Sequence, residues 1–202
     1  MKTLRDFLLA VASGICIGIG GTVFLSCDNK VVGSVLFAVG LYIICVQGLN
    51  LFTGKIGYLV GSEVKTYLPF LGIVWLGNLV GTFLSGVLVS LTRIAGIADK
   101  AASLCETKNS DSMLSLFILA IGCGILMYAA VDSYKKCQNP IILIFCVAVF
   151  ILCGFEHCIA DMFYYSVAGM WSLDALVRII VITLGNSVGG MLFPIFNLVR
   201  EK

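Results

Sequence analysis

Charge is what this sequence has least of. Of 202 residues only 12% are charged, against 60% hydrophobic, and the mean hydropathy is +1.07. A soluble domain carries roughly a quarter charged residues, so a soluble globular fold is excluded and the chain reads as an integral membrane protein. The net charge of +2 comes with no basic cluster, which leaves no electrostatic footprint for nucleic acid. Prolines are few (Pro69, Pro140, Pro194), and there is a single histidine, His157. The nine cysteines are odd in number and show no CxxC spacing, which excludes a disulfide framework and a zinc site. Cys16, Cys45, Cys123, Cys146 and Cys153 sit inside apolar runs, where a thiol behaves as a small hydrophobe. No metal and no cofactor are expected.

What is present is a series of long apolar runs, at about 8–26, 31–61, 67–92, 112–131, 139–171 and 175–198. The first could be taken for a signal peptide. It continues through Val23, Phe24 and Leu25, however, and Gly14, Gly18 and Gly21 recur at helix-packing spacing, so it reads as a first transmembrane helix. About 20 residues cross a bilayer. The second and fifth runs exceed that, and each is interrupted near its middle, by "QGLNLFTGKIG" and by "GFEHCIAD". Both read as discontinuous helices, which survive at membrane depth only where protein or a cavity satisfies the freed backbone groups.

The spans fall into two sets of three. "GNLVG" at 77–81 and "GNSVGG" at 185–190 occupy the third span of each set, and the broken helix is second in each. Thr53 and Asp161 have the same separation as Asn78 and Asn186. An odd number of crossings per set requires the second to be inverted, with a pathway at the repeat interface. The expected fold is therefore all-α: six transmembrane helices in an aquaporin-like inverted repeat of three plus three, in one channel domain over 1–202 with halves at about 1–100 and 101–202. Lys2, Arg5, Lys65, Lys135, Lys136, Arg200 and Lys202 on one side outnumber Lys30, Arg93, Lys100, Lys108 and Arg178 on the other, which places both termini in the cytoplasm.

The stretch "GFEHCIADMFYY" (154–165) sets Glu156, His157 and Asp161 inside the greasiest run. Ionisable groups within a span are expensive and mark function. With "GLNLFTG", "GNLVG" and "GNSVGG", in that order and spacing, it resembles the formate/nitrite transporter family over nearly the whole chain. The resemblance implies a homopentamer in a bacterial inner membrane, not an enzyme, with one path per protomer for small monovalent anions of weak acids. It assigns the pore histidine to His157, preceded by Glu156, and the loop threonine to Thr53. It assigns the apolar constrictions to Phe37 and Leu41 on one side and Phe150 on the other, with Leu51 flanking Thr53, and a lysine at the start of the fourth helix to Lys108.

The sequence departs from the family at Asn50, where an acidic residue is common, and at Gly124 and Asp161, where asparagines are. With its short chain and trimmed loops it looks most like the hydrosulfide-conducting branch, with formate and nitrite as the other anions in view. Glu156, Asn50 and Asp161 are expected to support the broken helices. Glu156 is expected to point away from the path and to bond backbone N–H groups or Asn50. Lys108 is expected to attract anions at the outer mouth, and His157 to donate to the anion or lend it a proton. Lys55 is expected to snorkel or pair with Glu63, and Asp132 to pair with Lys135 or Lys136.

Two other classes compete. An aquaporin-like neutral-solute channel would carry two Asn-Pro-Ala loops, whereas this chain has one Asn-Pro, at Asn139. A thiol enzyme using Cys158 and His157 would need two adjacent helical residues to face each other, which helix geometry disfavours.

Overall fold

The computed structural model describes residues 2–200, so Lys202 lies outside the described residues. All described secondary structure is helical: α1 (Lys2–Ser26), α2 (Lys30–Val46), α3 (Phe52–Lys55, continued by a 3-10 turn over Ile56–Leu59), α4 (Val64–Ser90), α5 (Ile97–Ser110), α6 (Met113–Cys137), α7 (Pro140–Leu152), α8 (Cys158–Ala168) and α9 (Leu173–Arg200). Four of these, α1, α4, α6 and α9, are long and apolar enough to cross a membrane. With 17 and 13 residues, α2 and α7 are about 25 and 20 Å long. Both fall short of a hydrocarbon core of about 30 Å.

Local signals explain where the helices start. Asn29 caps α2 by accepting from the backbone N–H groups of Val31 and Val32 at 2.9 and 3.1 Å. Asn139 caps α7 through Ile141 N–H at 2.9 Å, with Pro140 in the first turn, where its missing donor costs nothing. Ser112 caps α6 through Ser115 N–H at 3.1 Å. One helix was not foreseen. The Lys108 segment forms a separate helix, α5, lying between two crossings rather than the start of the fourth. "ADKAASLCETK" is rich in strong helix formers and has no glycine or proline inside it, so it coils before Asp111 and Ser112 break it.

Two pairs of helices run parallel in close contact. Gly14 of α1 meets Asn78 and Gly81 of α4, and Gly18 meets Ser85. In the same way Phe117 and Ile121 of α6 meet Gly185 and Gly189 of α9, and Gly124 lies against Asn186. In lipid, where apolar burial against a neighbouring helix gains little, such close backbone approach is what packing exploits. The Gly14, Gly18, Gly21 stripe is therefore occupied within the protomer, since Gly21 lies against Phe163.

α2 runs antiparallel to α1, with Gly40 against Cys16 and Gly33 against Phe24. It is also antiparallel to α7, where Lys30 Nζ lies 3.5 Å from the Leu152 carbonyl. Late α2 meets late α6 through the Tyr42 and Tyr134 rings, 5.8 Å apart. The start of α1 and the end of α9 consequently share one face, here called the terminus face. α7 ends at the opposite face.

After α2 and after α7 the chain turns back inward through a short link, and α3 and α8 begin from it. Both links turn at a glycine in the left-handed region, Gly48 (φ 64°) and Gly154 (φ 69°). An added Cβ would meet nothing within 4 Å at either, so backbone conformation rather than space calls for glycine there.

Candidate functional site

The two links meet at the centre of the protein. His157 is the N-cap of α8 and Leu51 that of α3. Thr53, one position into α3, stands 2.8 Å from His157 Nε2 through its Oγ1. His157 Nδ1 accepts from the Ala160 backbone N–H at 3.1 Å. With Nδ1 occupied as an acceptor, the ring proton belongs on Nε2 and is donated to Thr53 Oγ1. The Thr53 hydroxyl proton is then left free.

Of the constriction residues expected from sequence, Phe150 lies against His157 and Leu51 stands two positions before Thr53. Phe37, Leu41, Leu51 and Phe150 are buried, as are Thr53 and His157. Phe37 and Phe150 do not lie on opposite sides: their rings meet edge to face at 5.9 Å, because antiparallel α2 and α7 pack together there, and the Phe150 ring lies 5.6 Å from the His157 imidazole. Two cavities approach the Thr53–His157 pair from opposite faces. The one toward the terminus face, of about 50 Å³, is bounded by Leu51. The one on the opposite face, of about 260 Å³, is bounded by Phe150 and His157.

Two asparagines clamp the links in the same way. Asn78 Oδ1 accepts from Phe52 N–H at 2.9 Å, and its amide donates to the carbonyls of Asn50 and Ala10 at 2.9 and 2.8 Å. Asn186 Oδ1 accepts from Cys158 N–H at 3.0 Å, and its amide donates to the carbonyls of Glu156 and Ala120, both at 2.8 Å. Each clip satisfies the first free donor of a half-helix and a carbonyl of the link before it. The repeated Gly-Asn motif located these residues, but their role as clips was not foreseen. The contacts equate Phe52 with Cys158, two residues off the offset that equated Thr53 with Asp161, because the two halves differ in linker length.

Glu156 does not turn away from the cavity, and it does not bond Asn50. It lines the opposite-face cavity with His157 and Asp161 and makes a direct ion pair with Lys108. Lys108 Nζ also lies 3.0 Å from Asp161 Oδ1. Asn50 bonds the Asp6 carbonyl instead, at 3.2 Å. Lys108 is thus a buried cation between two carboxylates, not a free charge at a mouth. Burial acts to lower its pKa, but Asp161 and Glu156 outweigh that and hold the ammonium above the ordinary lysine value. Arg178, counted from sequence among the charges on the side opposite the termini, is buried too. It pairs with Asp174 at 2.6 Å and donates to the carbonyls of Lys108 and Asp111 at 2.7 and 2.8 Å, closing the end of α5. Gly124 packs on the Asn186 backbone, where a side chain would collide. It belongs to a helix contact, so its departure from asparagine carries no argument about selectivity.

The cluster makes a prediction. Lys108→Met leaves two buried carboxylates side by side, which costs about 3–5 kcal/mol for a broken buried pair. Lys108→Met with Asp161→Asn restores the charge balance and is expected to recover much of the loss. Thermal melting of the three proteins in detergent reads this out. A single variant as stable as wild type would show the cluster to be dispensable.

On the terminus face, Asp132 pairs with Lys136 at 2.7 Å and accepts from the Tyr58 hydroxyl at 3.3 Å. Lys55 does not pair with Glu63: among the described residues it has no carboxylate within 4.0 Å.

A profile of formate/nitrite transporters matches residues 1–199. A probable formate transporter of Methanothermobacter thermautotrophicus is 30% identical over 198 residues, covering 81% of this chain and 72% of that protein. The formate channel FocA of Escherichia coli (strain K12) is 28% identical over 188 residues, covering 79% of this chain and 65% of that one. Among solved structures, a pentameric formate channel with formate bound superposes with a TM-score of 0.85 at 25% identity, covering 100% of this chain and 98% of that chain. An ion channel of the same family gives 0.81 at 20% identity, covering 99% and 89%, a likeness of fold alone.

Proposed function

The chain belongs to the formate/nitrite transporter family, whose members are membrane channels and transporters rather than enzymes, and on that footing we propose that it conducts small monovalent anions of weak acids, hydrosulfide first and formate or nitrite next. The observation that carries the reading is the Thr53–His157 bond of 2.8 Å. It sets a hydrogen-bond donor in an otherwise apolar wall between two cavities. The proposed architecture is six crossings in two inverted halves, with α2–α3 and α7–α8 as broken crossings. It is assembled as a homopentamer in a bacterial inner membrane with cytoplasmic termini.

A bare anion in a dry constriction is strongly destabilised. Phe37, Leu41, Leu51 and Phe150 offer no dipole to offset that. Thr53 offers one free hydroxyl proton, oriented by the His157 bond behind it. His157 acts here as a neutral positioning group. A second proton would have to sit on Nδ1, which faces the Ala160 N–H, and would break the α8 cap. The geometry therefore supports hydrogen bonding over proton lending by His157, so any proton the permeant needs comes from water in the cavities. A single donor suits a one-centre anion such as hydrosulfide better than a carboxylate with two oxygens, which is why hydrosulfide stands first. Against a neutral-solute channel stands the wall itself, which has one donor and no second polar group to pass a polyol along.

Flux into proteoliposomes, compared for hydrosulfide, formate, nitrite and glycerol, tests the reading. Hydrosulfide at least as fast as formate, with glycerol at background, is the expected order. Glycerol flux exceeding every anion would replace it with the neutral-solute channel.

A further inference from the structure

The two cavities are not electrostatically alike. On the face opposite the termini, Lys30 and Lys108 line the cavity together with Glu156 and Asp161, so the lining charges cancel. Lys108 is moreover consumed by both carboxylates. On the terminus face the lining includes Lys55 and Lys135 and no carboxylate. Lys135 Nζ is seated on the Tyr58 ring at 3.9 Å from its centroid, and the Lys55 backbone is held by the Tyr67 hydroxyl at 3.0 Å. Neither ammonium has a carboxylate within 4.0 Å among the described residues. The nearby acids are engaged elsewhere: Asp132 with Lys136 at 2.7 Å, and Asp6 with Arg5 at 3.8 Å, in a neighbouring cavity beside Asn50. Leu51, the N-cap of α3, forms part of the same lining, so these charges stand directly beneath the constriction.

From this arrangement we infer that Lys55 and Lys135 form an anion-capture site at the terminus-face mouth, holding a small monovalent anion next to Leu51 before it enters the wall. The inference rests on the channel reading above and adds to it the place where the anion is concentrated. A passive path has the same permeability in both directions, so the site does not set a direction of transport. It sets the concentration at which flux saturates, and it does so from one side. An anion arriving from the terminus face meets two unneutralised ammonium groups. One arriving from the other face meets none in excess. Two cations acting through partly screened solvent lower the half-saturating concentration by on the order of tenfold at low salt. The advantage shrinks once the Debye length falls to a few ångströms.

Formate is a convenient probe. Protein carrying a C-terminal affinity tag is reconstituted, and vesicles with the tag outside are separated from those with it inside. Initial formate flux is then measured against formate concentration at about 20 mM and about 500 mM background salt, with sulfate as a poorly permeant background anion. The half-saturating concentration is expected to be on the order of tenfold lower when formate is added at the terminus face in low salt. High salt should bring the two faces together. Lys55→Gln and Lys135→Gln should each remove part of the difference and the double variant all of it, leaving the opposite-face value unchanged. Flux that saturates alike from both faces in wild type, or a difference that survives the double variant, overturns the inference and leaves the channel reading standing. No flux of formate, nitrite or hydrosulfide at any concentration removes the channel reading and this inference together.

Discussion

Replacing His157 by phenylalanine is expected to reduce anion flux by about one to two orders of magnitude, the loss that follows when a hydrogen bond to a charged group is removed from a barrier. Two things are lost. The Thr53 hydroxyl loses the partner that orients it, at 2.8 Å, and the Ala160 N–H loses its acceptor at 3.1 Å. The added ring also crowds Phe150, whose own ring already lies 5.6 Å from the imidazole. His157→Asn separates these effects. Asparagine is a good N-cap and can still serve Ala160, so α8 should remain in place while the longer reach to Thr53 is lost. Flux in the asparagine variant is expected to fall by about tenfold. Its dependence on external pH should follow only the ionisation of the permeant, as in wild type. An asparagine variant whose pH profile flattens would restore the proton-lending role that the Nδ1 contact argues against. Wild-type flux in the phenylalanine variant would take His157 out of the path altogether.

Much of this site was legible in the sequence, and the limits of that reading have physical causes. The broken runs could be found because polar residues in a membrane span are costly and therefore conspicuous. "QGLNLFTGKIG" and "GFEHCIAD" stand out for that reason. The partners of buried charges were harder to read. Lys108 and Glu156 are 48 positions apart, and no local pattern announces that a helix between two crossings will lay its last turn over the second link. Lys108 consequently looked like a free cation at a mouth, while the unneutralised cations lie at the opposite mouth, at Lys55 and Lys135. The small-residue stripe of α1 gave the right physics of close approach but no neighbour, since spacing alone cannot say which helix fills it. Asn78 and Asn186 were visible as a repeated motif, yet their task depends on three backbone groups from two other segments, which only the fold brings together.

That dependence makes the asparagine clips the places where one substitution should cost most. Asn186→Leu keeps the side chain's approximate size and removes three hydrogen bonds, to Cys158 N–H and to the carbonyls of Glu156 and Ala120. All three groups lie where neither water nor lipid can replace the lost partner, and each unsatisfied buried group costs about 1–3 kcal/mol. A total of several kcal/mol is comparable to the stability of a whole domain, so the variant is expected to melt far below wild type or fail to accumulate in the membrane. Asn186→Asp is the sharper comparison. It retains an oxygen for Cys158 N–H but has no amide to give, so the two carbonyls at 2.8 Å would face a carboxylate. An amide whose only task is to fill space would tolerate leucine better than aspartate, which buries a carboxylate with no cation beside it. A clip that needs both of its donors would tolerate neither. The same pair of changes at Asn78 is expected to have the same effect, because its three contacts match those of Asn186 in kind and in length to within 0.1 Å. Melting curves of the purified proteins in detergent decide the matter. If Asn186→Leu melts with wild type, the link before α8 is held by something other than the clip.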